Sequence, residues 1–167
     1  MQSIELTIDS SIATIPVPVT AAPTTTTTTL LASVLAIPCR KYDTITALAY
    51  GMQFHHPLAS SCGTTNDHRG SDALVLNLCH TNNDTSQWTE GPNVMSNCPS
   101  IPLYTPIATF SRGAYSGNGG ISGIFLGCLP DGFKIAVQEC GSNVTILNLG
   151  HGGMFAHDPN AYFIVRE

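Results

Sequence analysis

From residue 105 onward the chain is a succession of short β-forming runs broken by turn residues. They are "TPIATF" (105–110), "ISGIFLG" (121–127), "FKIAVQE" (133–139), "NVTIL" (143–147) and "AYFIVR" (161–166). "LPDGF" (129–133) is a tight-turn sequence between two of them. Such spacing predicts an antiparallel meander, which needs a second layer to cover its apolar face. Two upstream segments can supply it. Tyr42, Ile45, Leu48, Ala49 and Met52 recur at helical spacing, predicting a helix over 41–52. "SDALVLNLCH" (71–80) starts sharply, with Ser71 or Asp72 at the N-cap or first turn. Its Ala73, Leu74, Leu76, Leu78 and Cys79 would face a core. Helices first and sheet after predict an α+β domain, with helices packed on a β-meander or half-barrel.

Residues 57–70 and 81–106 read as loops, the second holding the single tryptophan, Trp88. The N-terminal part has a different character. Ile4, Leu6 and Ile8 alternate with Glu5, Thr7 and Asp9, as in a half-buried strand. Pro16, Pro18 and Pro23 forbid a central strand, and "PTTTTTT" (23–29) is low complexity. The hexathreonine reads as a solvated connector or as a strand that pairs with a neighbouring subunit. "LLASVLAIP" (30–38) is a short helix or a strand. The expected organisation is an extended arm over 1–38 and one domain over 39–167.

Only 10% of residues are charged and the net charge is −5. That balance excludes a duplex nucleic-acid binder, which needs a basic face, and electrostatic attachment to anionic lipid. No run is long enough to span a bilayer. The opening "MQSIELTIDSSIATIPVPV" lacks the basic and apolar regions of a signal peptide. Six cysteines, Cys39, Cys62, Cys79, Cys98, Cys128 and Cys140, form an even set in a charge-poor chain. They point to disulfides and an extracellular setting, with the pairing open. Asn83-Asp84-Thr85 and Asn143-Val144-Thr145 are glycosylation sequons that fit the same setting.

Taken in order, "GSDALVL", "DTSQWTEGPNVMSN", "TPIATFSRGAYSGNGGISGIFLGCLPDGFKIAVQ" and "DPNAYFIVRE" resemble the small NlpC-like and CHAP-like cysteine amidases. Those proteins share a papain-like core. The resemblance covers about residues 68–167. It implies a nucleophilic Cys at the start of the first core helix, where the helix N-terminus and an imidazole favour thiolate. It also implies a His opening the strand after the Gly/Asn turn, and a third polar group on the next strand. In this chain the Cys position holds Ser71, the His position holds Ile121, and the third falls near Val137. Gly120 and Ser122 flank Ile121, so a one-residue shift restores nothing. Isoleucine moves no proton and valine orients no ring.

Other residues offer displaced alternatives. Cys62 with His68 or His151, or Cys79 beside His80, are candidate thiol–imidazole pairs. Cys79 and His80, as helix neighbours, point well apart. His55, His56, His68 and His80 with Cys62 and Cys79 lack the close-spaced pairs usual for zinc, so no metal and no cofactor are expected. "GNGG" (117–120) and "GHGG" (150–153) lack the Lys-Ser/Thr of a phosphate loop. Three functions follow. The first is a secreted, catalytically degenerate module binding a glycan, a peptide or a protein. The second is a self-assembling subunit using the N-terminal arm. The third is an active cysteine amidase using Cys62 or Cys79.

Overall fold

The computed structural model describes residues 37–167 apart from Thr65, Ser116 and Asn118. The alternating segment, the hexathreonine and nearly all of "LLASVLAIP" lie outside the described residues, and with them the arm's expected role in self-association.

Seven strands form one antiparallel sheet: β1 (Thr89–Asn93), β2 (Pro106–Ser111), β3 (Ala114–Tyr115), β4 (Ser122–Leu129), β5 (Gly132–Val137), β6 (Thr145–Gly150) and β7 (Tyr162–Arg166). Their order is β3-β1-β7-β2-β4-β5-β6, and β3 also pairs with β2. That extra pairing closes β3, β1, β7 and β2 into a small ring. Helices α1 (Lys41–Tyr50), α2 (Ser71–Leu78) and α3 (Val94–Asn97) complete the fold, with α2 packed against β4.

α2 is apolar almost all round. Ala73, Leu74 and Val75 are fully buried, and only Asn77 of the helix is half-exposed. A helix with so little polar surface is stable only when covered on several sides. Leu74 and Leu78 pack with Ile124 and Ala136 of the sheet, while Ala73, Val75 and Leu76 pack with Trp88, Ala108, Tyr115 and Val165. The opposite side of the sheet has its own core of Ile107, Phe125, Phe133, Ile135, Val137, Leu149, Tyr162 and Ile164. The result is a mixed α/β architecture with a sheet-rich core and few helices.

All six cysteines are paired: Cys39–Cys79, Cys62–Cys140 and Cys98–Cys128. These three bridges fit an oxidising environment. No helix among the described residues is long and apolar enough to cross a membrane.

Several sequence expectations shift. The first helix ends at Tyr50 rather than 52, because Gly51 turns left-handed (φ 55°, ψ 49°) and its N–H closes on Ala47 and Leu48 carbonyls. β6 starts at Thr145 rather than 143, because the Val144 N–H is taken by the Met52 carbonyl at 2.8 Å. The stretch 81–106, expected to be loop, contains β1 and α3. Asn93 caps α3, its Oδ1 accepting from Ser96 N at 3.0 Å.

Where β5 begins, it runs so close to β6 that a Cβ on Gly132 would lie 1.8 Å from the Leu149 carbonyl oxygen. Gly132→Ala therefore has to push β6 off β5. The expected loss is about 3 kcal/mol or more, read by denaturant unfolding. Lys134→Ala, on an exposed position of the same strand, serves as control with a change within about 0.5 kcal/mol.

Candidate functional site

A cleft with a volume of about 540 Å³ opens beside the start of α2. Four chain segments build it, one of them giving Ala156 from the stretch after β6. The loop before α2 contributes Ser60, Ser61, Gly63 and Gly70, and α2 contributes Ser71 at its first residue. Gly117, Gly119, Gly120 and Ile121 come from the glycine-rich turn before β4, and Glu139 and Cys140 from the segment after β5.

Ser71 and Ile121, the positions singled out by the family resemblance, thus share one cleft. The contact between their segments is direct, with Ser122 N donating to Ser71 Oγ at 3.0 Å. Ser71 is 8% exposed. Its neighbour Asp72 is fully buried at the N-terminal turn of α2, where the helix dipole favours negative charge. The Asp72 carboxylate accepts from Ser60 N at 2.9 and 3.1 Å and from Ser60 Oγ at 2.6 Å. This fixes the loop wall to the helix start. Gly70 makes the close approach possible, since a Cβ there would stand 2.7 Å from Asp72 Oδ1 and 2.8 Å from the Ser60 carbonyl oxygen.

The backbone of Ile121 is held from the other side. Thr109 Oγ1 accepts from Ile121 N at 2.9 Å, and Thr109 N donates to the Ile121 carbonyl at 2.8 Å. Behind the cleft, Tyr115 O–H reaches Ser122 Oγ at 3.4 Å, and its ring packs 5.0 Å from that of Trp88. Burial, reinforced by the Asp72 charge, raises the Tyr115 hydroxyl above the ordinary phenol range, so it keeps its proton. Trp88 is buried and donates from Nε1 to the Asn82 carbonyl at 2.9 Å.

The loop before α2 is also tied to the end of β5. Gln138 is fully buried: its Oε1 accepts from Phe54 N at 2.6 Å, and its Nε2 donates to the carbonyls of Phe54 and Arg69 at 2.8 and 3.2 Å. Arg69 Nε donates to both Asp67 oxygens at 2.6 and 2.8 Å, which holds that carboxyl below its usual range. The Cys62–Cys140 bridge joins the same two segments at the cleft itself.

Val137 is not part of the cleft lining. It is 1% exposed in the core against which Ile121 also packs, and the chain after its strand reaches the cleft at Glu139. Cys62 and Cys79, the displaced alternatives, are half-cystines bonded to Cys140 and Cys39. A disulfide sulfur carries no thiolate. His151 is exposed in the loop after β6. No histidine lines the cleft among the described residues, although His157 Nε2 stands 3.8 Å from Glu139 Oε1 at its rim. Nor do the described residues contain a group of three or more His, Cys, Asp or Glu side chains able to hold a metal ion. Ser60, Ser61 and Ala156 of the wall had no sequence signal. Long-range contacts place them: Ser60 is held by Asp72, and Ala156 comes from the stretch after β6.

The mixed α/β fold with its sheet-rich core and few helices is similar to that of a solved amidase effector. A solved structure of a type 6 secretion amidase effector 2 (Tae2) superposes on 65% of this chain and 88% of its own, with a TM-score of 0.54 and 24% identity. At that identity the likeness is one of fold. The sequence profile of the domesticated amidase effector 2 family matches residues 31–165, and the chain belongs to this family. A curated relative from Ixodes scapularis, "Domesticated amidase effector 2", is 41% identical over 70 residues, or 40% of this chain. The match spans 47% of that relative's length.

Proposed function

We propose that this chain is a catalytically degenerate amidase domain that works outside the cytosol and holds a peptide or glycan ligand in the Ser71 cleft without cleaving it. The observation that carries this reading is the pairing of Ser71 with Ile121 in one cleft. Acyl transfer needs a nucleophile and a base within hydrogen-bond reach. The Ser71 hydroxyl accepts a backbone N–H, and the residue across from it is a hydrocarbon. A serine without an adjacent base is a poor nucleophile. What remains is a concave wall of small residues and backbone, with Glu139 as its single charged member among the described residues. That composition suits extended, hydrogen-bonding ligands such as the peptide-substituted glycan of bacterial walls.

The test uses purified bacterial peptidoglycan as both substrate and binding probe. The wild-type chain is expected to co-sediment with it and to leave its fragment pattern unchanged. Ser61→Trp, which fills the cleft from a half-buried position in the loop wall, should weaken co-sedimentation about tenfold. New amino groups that disappear in Ser71→Ala would sink the degenerate reading. Binding unchanged by Ser61→Trp would sink the cleft as the ligand site.

A further inference from the structure

The turn after β5 lies against the C-terminal end of α1. Val144 N donates to the Met52 carbonyl at 2.8 Å, and Gln53 Nε2 donates to the Gly141 carbonyl. Asn143 sits at this junction. Its Nδ2 lies 3.4 Å from where a Cβ on Gly51 would stand. Gly51 separates Tyr50 from Met52, two large apolar residues exposed to solvent at 82% and 41%. Asn143 itself is exposed, and its amide makes no hydrogen bond among the described residues. Thr145 is exposed as well, while Val144 between them is 4% exposed and packs with Ala47. The acceptor triplet is therefore pinned by its middle residue and presents both functional side chains outward.

We propose that Asn143 carries an N-linked glycan, and that its first sugar lies on the apolar surface of Tyr50 and Met52 at the end of α1. The modification joins Asn143 Nδ2 to the anomeric carbon of a lipid-diphosphate-linked oligosaccharide. The diphosphate leaves with the bond electrons, and the amide gives up one proton. A chain that forms three disulfides passes through a compartment where this donor is used in eukaryotic cells. N-acetylglucosamine presents a C–H face that packs on an aromatic ring, while its hydroxyls face water. The glycan covers a patch that the protein fold leaves open.

The experiment secretes the full chain from eukaryotic cells behind a heterologous leader. Glycans are then removed with an amidase in heavy-oxygen water, and peptides are mapped by mass spectrometry. Asn143 is expected to appear as labelled aspartate, and Asn143→Gln and Thr145→Ala should each lose one glycan from the intact mass. Trimming to a single N-acetylglucosamine should keep Tm roughly 2–5 °C above the bare Asn143→Gln chain. In a Tyr50→Ala background that difference should vanish. Unlabelled Asn143 in the secreted protein, or labelling confined to Asn83, overturns the site. An undiminished Tm gain in Tyr50→Ala overturns the placement. If Asn143→Gln is not secreted, the label on the wild-type peptide still decides occupancy.

Discussion

Ser71→Cys combined with Ile121→His is expected to turn the chain into a thiol-dependent amidase acting on peptidoglycan amide bonds. The cleft already offers much of what such a pair needs. Residue 71 is the first of α2, where backbone N–H groups and the helix dipole stabilise a thiolate. Ser122 N, which now donates to Ser71 Oγ at 3.0 Å, would donate to that sulfur. Residue 121 is clamped by its two hydrogen bonds to Thr109, so an imidazole placed there has a fixed origin. Glu139 lines the same cleft and is the side chain available to orient the ring. A positioned general base contributes about 10²–10⁴-fold, and that is the gain expected for the double variant over either single one. The single variants should stay near the wild-type background, because nucleophile and base act as a unit. Release of amino groups, abolished by iodoacetamide, is the readout. A double variant that folds with an unchanged Tm yet stays inert would mean that Ser71 and Ile121 are not the nucleophile and base positions.

The second large effect belongs to the Cys62–Cys140 bridge, whose half-cystines are 78 residues apart. Chain entropy assigns a loop of that length about 4–5 kcal/mol of stability, against about 3–4 kcal/mol for the bridges spanning 30 and 40 residues. Cys62→Ser with Cys140→Ser should lower Tm by roughly 10–15 °C. Stability alone barely separates the three bridges, so the discriminating measurement is binding. Only this bridge fastens the Ser60–Gly63 wall to the segment carrying Glu139. Its loss should release the wall and reduce peptidoglycan co-sedimentation at temperatures where the chain is still folded. Loss of Cys98–Cys128, neither of which lines the cleft, should leave co-sedimentation unchanged. Equal effects from both double variants would show that the bridge acts on the whole fold rather than on the cleft.

The parts of the fold that were legible in the sequence are those with local causes. α2 announced itself through its polar start and apolar body, and β2, β4, β5 and β7 through short apolar runs between turns. β1 did not, because "TEGPN" contains a glycine and a proline and has no alternation. It is a strand because β7 pairs with it, through Thr89 with Arg166 and Glu90 with Val165, and such a distant partner leaves no trace in a local window. β3 is only two residues long and exists through β1 and β2. The cleft divides in the same way. Ser71 and Ile121 were reached through the family resemblance, and the fold puts them side by side. The third position, near Val137, falls on a buried core residue, and the side chain of that segment that lines the cleft is Glu139. The wall from Ser60 to Gly63 was invisible, since it depends on which cysteine Cys62 meets.

The pairing of β3 with both β1 and β2 bears on how this protein meets other chains. A seven-stranded open sheet has two edges with unpaired backbone groups, each a place where a foreign strand can add. Ring closure shortens one of them, since β1 meets β3 only through Thr89 and Ala114, and β6 forms the other border. That border carries Thr145, Ile146 and Asn148 exposed, with Ile146 at 52%. Strand-mediated contact with a partner, or with a misfolded copy, therefore has its longest address on β6, and a charge introduced at Ile146 is expected to weaken it.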